Sequence, residues 1–178
     1  MTTPTEIVWL QTGFLGDIVL TTGALAYSRQ RFPQAKVKLI TTPLGKSALA
    51  SEPYLDEVIA VDKRKQSLRQ SRQLLRQALP PLEEGKRYIL QAHRSFRSTV
   101  LARGLMGTRV GYTESDAACL LDERFDRVAI FHEAVRIGLL MQALGCTREE
   151  IGSLRPVLTP EPASDKEWAA SLESAKDW

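Results

Sequence analysis

Short apolar runs alternate along this chain with stretches whose apolar residues recur at helical spacing. Glu6-Ile-Val-Trp-Leu-Gln-Thr12 reads as a short buried strand, and Gly13 and Gly16 mark a tight turn after it. From Asp17 to Phe32 the residues Ile18, Leu20, Leu25 and Tyr27 share a helical face, and Pro33 stops the pattern. Lys36-Val-Lys-Leu-Ile-Thr41 predicts a second strand, and Pro43 opens a short helix through Ala50. Val58 to Val61 predicts a third strand, followed by a basic helix from Gln66 to Leu79 that Pro80 and Pro81 end. Tyr88 to Ala92 is the fourth, with a helix from Ser95 to Leu105, and Arg109 to Tyr112 is a very short fifth.

Beyond Thr113 the pattern loosens. An edge strand is expected around Arg127 to Ile130, then an amphipathic helix from His132 to Leu144 closed by Gly145. Pro160-Glu-Pro162 reads as a linker, and Ser164 as the N-cap of a polar helix running to Trp178. Strand and helix alternate five times through connections that suit only crossovers. The prediction is α/β: a doubly wound, mostly parallel, Rossmann-like sheet with helices on both faces.

Composition narrows this without changing it. A chain of 178 residues builds one well-buried domain, and 43% hydrophobic with 25% charged residues excludes a disordered or fibrous class. The purely apolar runs reach roughly four or five residues, far short of the roughly 18 that a membrane span needs. Met1 to Glu6 is polar and lacks the plan of a secretory signal, so cytoplasmic residence is expected. Cys119 and Cys146 are too few for a disulfide scaffold or a zinc site and read as small packing residues. A net charge of +3 is no nucleic-acid footprint, so no nucleic-acid partner is expected. Basic residues do crowd Lys63 to Arg76, either as a solvated helix face or as a surface suited to anionic membrane.

Three familiar motifs fail on inspection. A dinucleotide fingerprint needs three glycines and an acidic end to the second strand, but that strand ends in Thr41-Thr42, which argues against NAD. Gly45-Lys46-Ser47 has Ile40 where a phosphate-binding loop needs its upstream glycine. His132-Glu133 is followed by Arg136 where a zinc protease carries its second histidine.

Two loops survive as candidates, each directly after a strand, where open parallel sheets gather their ligands. In Gly13-Phe14-Leu15-Gly16-Asp17 the glycines allow sharp turning and close approach. Asp17 there is either a cap for the next helix or a carboxylate at the positive helix end, presented to the cleft. In His93-Arg94-Ser95-Phe96-Arg97-Ser98 the arginines and serines offer donors for an anion at a helix start. The alternative is Ser95 as a plain cap with solvated arginines, and a lone His93 is more often packed or capping than catalytic.

Taken in order, these motifs, then Arg109-Val-Gly-Tyr112, then His132-Glu-Ala-Val-Arg-Ile-Gly-Leu-Leu140 with Leu144-Gly145, resemble the lipopolysaccharide heptosyltransferase family, glycosyltransferase family 9. The resemblance runs from about Ile7 to Leu158. It implies the N-terminal half of a GT-B arrangement, in which residues 1–158 form a Rossmann-like domain that receives the lipid A–Kdo acceptor. Residues 159–178 would be linker and helix leading to a C-terminal domain, not in this chain, that holds the ADP-sugar donor. By the same resemblance Asp17 is the catalytic base of an inverting, metal-independent transfer needing no cofactor, with Arg94 and Arg97 on acceptor phosphate or carboxylate groups. The family further implies peripheral contact with the inner face of the membrane, and no activity for this half alone. From the residues without the resemblance, two other classes stay open: a non-enzymatic Rossmann-like binding module, and a small nucleotide-dependent α/β enzyme.

Overall fold

The computed structural model describes residues 3–83 and 86–159, so the helix expected from Ser164 lies outside the described residues. The strands are β1 (Glu6–Leu10), β2 (Lys36–Thr41), β3 (Glu57–Ala60), β4 (Arg87–Gln91), β5 (Thr108–Tyr112) and β6 (Glu123–Phe125). They form one sheet in the order 3-2-1-4-5-6, every neighbouring pair parallel. The chain winds outward from β1 through β2 and β3, then returns to the other side of β1 with β4. The order reverses between β1 and β4, where loops leaving the two carboxyl ends diverge and leave a crevice.

β1 is buried along its whole length because it pairs on both edges and is covered on both faces. Its side chains alternate between two cores. Ile7 and Trp9 join the layer of α1 (Leu15–Arg31), α2 (Pro43–Leu49) and α5 (Glu133–Gly138), whereas Val8 and Leu10 join that of α3 (Leu68–Ala78) and α4 (Phe96–Arg103). Trp9 sits in register between Leu39 of β2 and Leu90 of β4, and its Nε1 donates to Ser28 Oγ of α1 at 3.0 Å. Burying such a ring removes roughly 150–250 Å² from water while the hydrogen bond satisfies its one polar atom.

Helix starts follow their capping residues. Ser67 and Gln70 form a reciprocal capping box on α3, Thr42 caps α2, and Ser95 caps α4. The helix expected over 132–144 begins as α5 and tightens into a 3-10 turn over Leu139–Leu144, with Gly145 at φ 83 accepting the left-handed exit. A short α6 (Arg148–Gly152), absent from the sequence reading, follows on a Thr147–Glu150 capping box.

The expected edge strand at Arg127–Ile130 is corrected. The edge is β6, three residues long, and residues 127–130 are irregular chain ending in a turn, where Ile130 is 86% exposed. Asp122 initiates β6 by accepting from the Arg109 backbone N–H at 2.8 Å and pairing with its guanidinium. The later segment is held as a loop by Arg127 to Glu133, by Arg136 to the Ala129 carbonyl, and by Phe131 N–H donating to Val128 O. Cys146 is packed as expected, its thiol pushed up to about 11 by burial and by Glu150, but Cys119 is exposed in a 3-10 turn.

At the amino edge of the sheet lies a buried ionic cluster. Glu6 pairs with Arg87 and with Lys38 Nζ at 3.1 Å, and Lys38 also meets Glu57 at 2.9 Å. Arg87, 1% exposed, completes its donors on Pro80 O at 2.7 Å and Met106 O at 3.2 Å. On the α1 face, the segment Arg155–Thr159 runs across the helix. Val157 N–H donates to Thr22 Oγ1 at 2.8 Å, Tyr54 OH donates to Val157 O at 2.9 Å, and Thr159 N–H donates to the buried Glu52 carboxylate at 3.0 Å. Gly23 makes the crossing possible, since a Cβ there would lie 2.1 Å from Arg155 O.

Candidate active site

Both loops singled out in the sequence leave the carboxyl edge of the sheet at its switch point. Gln11 N–H continues the β1 ladder to Ile40 O at 3.0 Å, while Ala92 and His93 N–H groups both donate to Leu10 O, at 3.1 and 3.2 Å. Past those bonds the chains separate into a cleft of about 620 Å³. Asp17, His93, Arg94 and Ser95 line it together with Glu114, Asp116, Arg127 and Glu133. A second cleft of about 490 Å³ adjoins it over β2 and β3, lined by Gly13, Phe14, Leu15, Leu44, Lys63 and Arg64 among others. His93 stands in the wall of both.

Asp17 does not cap α1. The helix begins at Leu15 with Phe14 in the N-cap position and no side-chain cap bond, which puts Asp17 in the first turn. Its carboxylate makes no hydrogen bond or ion pair among the described residues and lies against Gly13, where a Cβ would come 2.8 Å from Oδ2. A half-buried carboxylate at the positive end of a helix, with its lone pairs turned to a cleft, is suited to accept a proton.

His93 is gripped through one nitrogen. Its Nδ1 lies 2.9 Å from Ser98 Oγ, 3.1 Å from Ser95 Oγ and 3.2 Å from Thr12 Oγ1. Ser98 Oγ is also 3.1 Å from each of the other two hydroxyls. Hydroxyls both donate and accept, so this cluster satisfies either neutral tautomer of the ring. Burial, with the positive charges of Lys63 and Arg94, pushes His93 down to about 4 against the opposing pull of Asp17. The ring is neutral at physiological pH.

The sequence-derived residues divide by position. Phe14, Asp17, His93, Arg94 and Ser95 reach the main cleft, and Gly13, Phe14 and Leu15 reach the second. Gly16 sits exposed in the first turn of α1 with open space around it. Ser98 is fully buried and touches the site only through His93 and its hydroxyl neighbours. Arg97 turns the other way, its guanidinium donating to Gln66 O at 2.7 Å and facing Ser71 Oγ at 3.4 Å. Arg94 keeps an exposed pair with Glu114 at 3.5 Å, so its charge remains at the cleft mouth.

Sequence reasoning missed the far wall. Asp116 accepts from Phe96 N–H at 3.1 Å and donates its own N–H to Arg94 O at 3.0 Å, tying the β5 loop to the start of α4. Burial alone would raise Glu133, but Arg127 and Arg136 hold it below the usual carboxylate range. Lys63 and Arg64 belong to the turn after β3 and line the second cleft, ahead of the basic helix they were grouped with. The decoy motifs resolve as local structure: Gly45-Lys46-Ser47 lies inside α2, and His132 caps α5 through Nδ1. Among the described residues no cluster of three or more His, Cys, Asp or Glu side chains could hold a metal ion. No described helix is long and apolar enough to cross a membrane.

Strand order and cleft together define a Rossmann-like α/β fold of the kind found in GT-B glycosyltransferases. Solved structures that share it include a family 9 glycosyltransferase and two heptosyltransferases. The first, from Veillonella parvula, superposes with a TM-score of 0.78 at 20% identity, covering 97% of this chain and 51% of that one. Escherichia coli heptosyltransferase WaaC, solved with ADP, gives 0.68 at 18% identity over 80% of this chain and 48% of its own. The Escherichia coli ADP-heptose lipopolysaccharide heptosyltransferase II gives 0.66 at 19% identity, over 94% and 50%. The chain therefore spans about half the length of the structures it matches. No protein-family model matches the sequence, and no curated protein does.

Proposed function

We propose that this chain is the acceptor-side half of an inverting, metal-independent glycosyltransferase of family 9, moving heptose from ADP-heptose to the lipopolysaccharide inner core. The observation that carries the reading is Asp17: a carboxylate without hydrogen bond or ion pair among the described residues, at the switch-point cleft, beside a neutral His93 and the cationic Arg94. Support comes from the shared fold and from WaaC having been solved with ADP and with ADP-2-deoxy-2-fluoro heptose.

The chemistry is one displacement. The acceptor hydroxyl oxygen bonds to the anomeric carbon from the face opposite the nucleotide. The bond from that carbon to the diphosphate breaks, and its electron pair leaves with ADP. The hydroxyl proton passes to Asp17. Arg94 at one cleft mouth, with Lys63 and Arg64 in the other, offers cations to phosphate or Kdo carboxylate groups of the acceptor. Arg97, facing Gln66 and Ser71, braces α4 against the segment leading into α3. The donor would be held by the complementary half, and the exposed Arg69 and Arg76 of α3 would meet the anionic cytoplasmic face of the membrane.

Asp17→Asn in the full-length enzyme tests this. Because Asp17 is not the cap, the substitution leaves α1 intact and removes only the proton acceptor. The expected loss is roughly 10²–10⁴-fold in kcat, with melting temperature and ADP-heptose affinity unchanged. Near-normal kcat in the folded variant rejects the base assignment.

A further inference from the structure

Among the described residues the Asp17 carboxylate has no hydrogen-bond partner, so its position must be set by packing and by the loop around it. Two features converge on it. Gly13 presents a bare α-face: a Cβ built there would sit 2.8 Å from Asp17 Oδ2, 3.4 Å from Asp17 Cβ and 3.0 Å from Gln11 Oε1. A Cβ at position 13 would press on the carboxylate as placed, and the carboxylate would have to shift. Gln11, only 3% exposed, spans the loop from beneath. Its Oε1 accepts from Gly13 N–H at 3.1 Å, and its Nε2 faces Thr21 Oγ1 at 3.5 Å, the outer limit of a hydrogen bond. Thr21 in turn donates its hydroxyl to Asp17 O at 2.8 Å. One amide side chain thus connects the glycine that seats the carboxylate to the hydroxyl that holds its backbone.

We propose that Gln11 and Gly13 are positioning residues for Asp17, the amide locking the loop and the glycine leaving the space in which the carboxylate stands ready for the acceptor hydroxyl. A glutamine suits this place better than a glutamate. Gln11 Oε1 and Asp17 Oδ2 flank the same point, about 6 Å or less apart, where a second negative charge would resist ionisation of the first. The kinetic consequence rests on the proposed function. The placement of the carboxylate does not.

Two measurements test it. The first follows the Asp17 carboxyl carbon by NMR titration in this chain, with Gln11→Glu and Gly13→Ala as variants. Gln11→Glu preserves an oxygen for Gly13 N–H and adds a like charge. The two carboxyls should then titrate as a pair, with the upper step at least about one pH unit above the wild-type Asp17 midpoint. Gly13→Ala should displace the Asp17 carboxyl resonance. The other charged or titratable groups around the clefts, His93 and Arg94 after β4, Glu114 and Asp116 after β5, Arg127 and Glu133 beyond β6, and Asp62, Lys63 and Arg64 after β3, are left unchanged in both variants. The difference therefore reports Gln11 and Gly13.

The second measurement is steady-state kinetics of the full-length enzyme. Gly13→Ala should lower kcat about 10–100-fold with KM nearly unchanged, the signature of a misplaced base. Gln11→Glu should move the acid limb of the kcat profile upward by a similar pH interval to the NMR shift. Wild-type Asp17 titration and resonance in both folded variants would overturn the positioning role, and so would a loss of melting temperature with unchanged kcat. Should Gly13→Ala not fold, Gln11→Glu decides alone. Normal turnover in Asp17→Asn would remove the functional reading while the titrations still judge the placement. Lost turnover there, with wild-type titrations in both variants, would reject the placement alone.

Discussion

His93 is the residue whose environment departs furthest from what its sequence neighbours suggest. Three hydroxyls meet at its Nδ1, and two cationic side chains act on a ring that is already partly buried. With the folded value pushed down to about 4 and the unfolded one near 6.5, the unfolded chain binds the extra proton first as pH falls. The stabilisation that follows is complete above pH 6.5 and is lost on descending toward 4. Melting temperatures of wild type and His93→Gln should therefore converge, or cross in favour of the variant, over that window. A gap between them that stays constant from pH 7 to 4.5 would show that the ring titrates normally. Almost none of this was legible in the sequence. His93 and Ser98 are neighbours there, but Thr12 lies 86 residues before Ser98, and only the pairing of β1 with β4 brings them together.

At the scale of elements the sequence was more readable, and where it failed the reason is physical. The bounds of β2 emerge as read because alternating apolar residues end at turn-forming ones on both sides. The edge strand was misplaced because Val128, Ala129 and Ile130 look like a strand, whereas Glu123-Arg-Phe125 does not. Three polar-leaning residues suffice at an edge when Asp122 anchors them to Arg109. Asp17 was legible as an important residue, yet its two structural readings could be separated only by knowing where α1 begins. Gly23 inside α1 admits the Arg155 carbonyl, a contact that no local pattern in the sequence signals. Gly23→Ala should gain helix propensity but meet backbone that cannot retreat, costing about 1–3 kcal/mol net. Urea denaturation measures it, and a neutral or stabilised variant would show that the crossing segment yields.

Across the whole molecule the two ends of the sheet are built for different tasks. The carboxyl edge opens into clefts with exposed cations and a carboxylate lacking a partner among the described residues. The amino edge buries Glu6, Lys38 and Arg87, all below 9% exposed, with Glu57 balancing the second cation. Removing one partner from such a buried set leaves an uncompensated charge, so Arg87→Met should destabilise the chain by about 3–5 kcal/mol. It lies at the opposite end of the sheet from Asp17 and His93, and kcat of the proposed transferase should be unaffected while the protein remains folded. A fall in kcat at full folding would mean that the two edges communicate. The buried ion cluster thus sits at the end of the sheet away from the Asp17 cleft.

The crossing of Arg155–Thr159 over α1 has a mechanical side. At Gly23 main chain lies directly on main chain, with no side chain between to act as a cushion. Bonds from Thr22, Tyr54 and Glu52 fasten the segment at three further points. A joint made that way is a rivet with little play. The helix it fastens is the one whose first turn bears Asp17, so a load applied at Thr159 is borne by the same beam that carries the carboxylate.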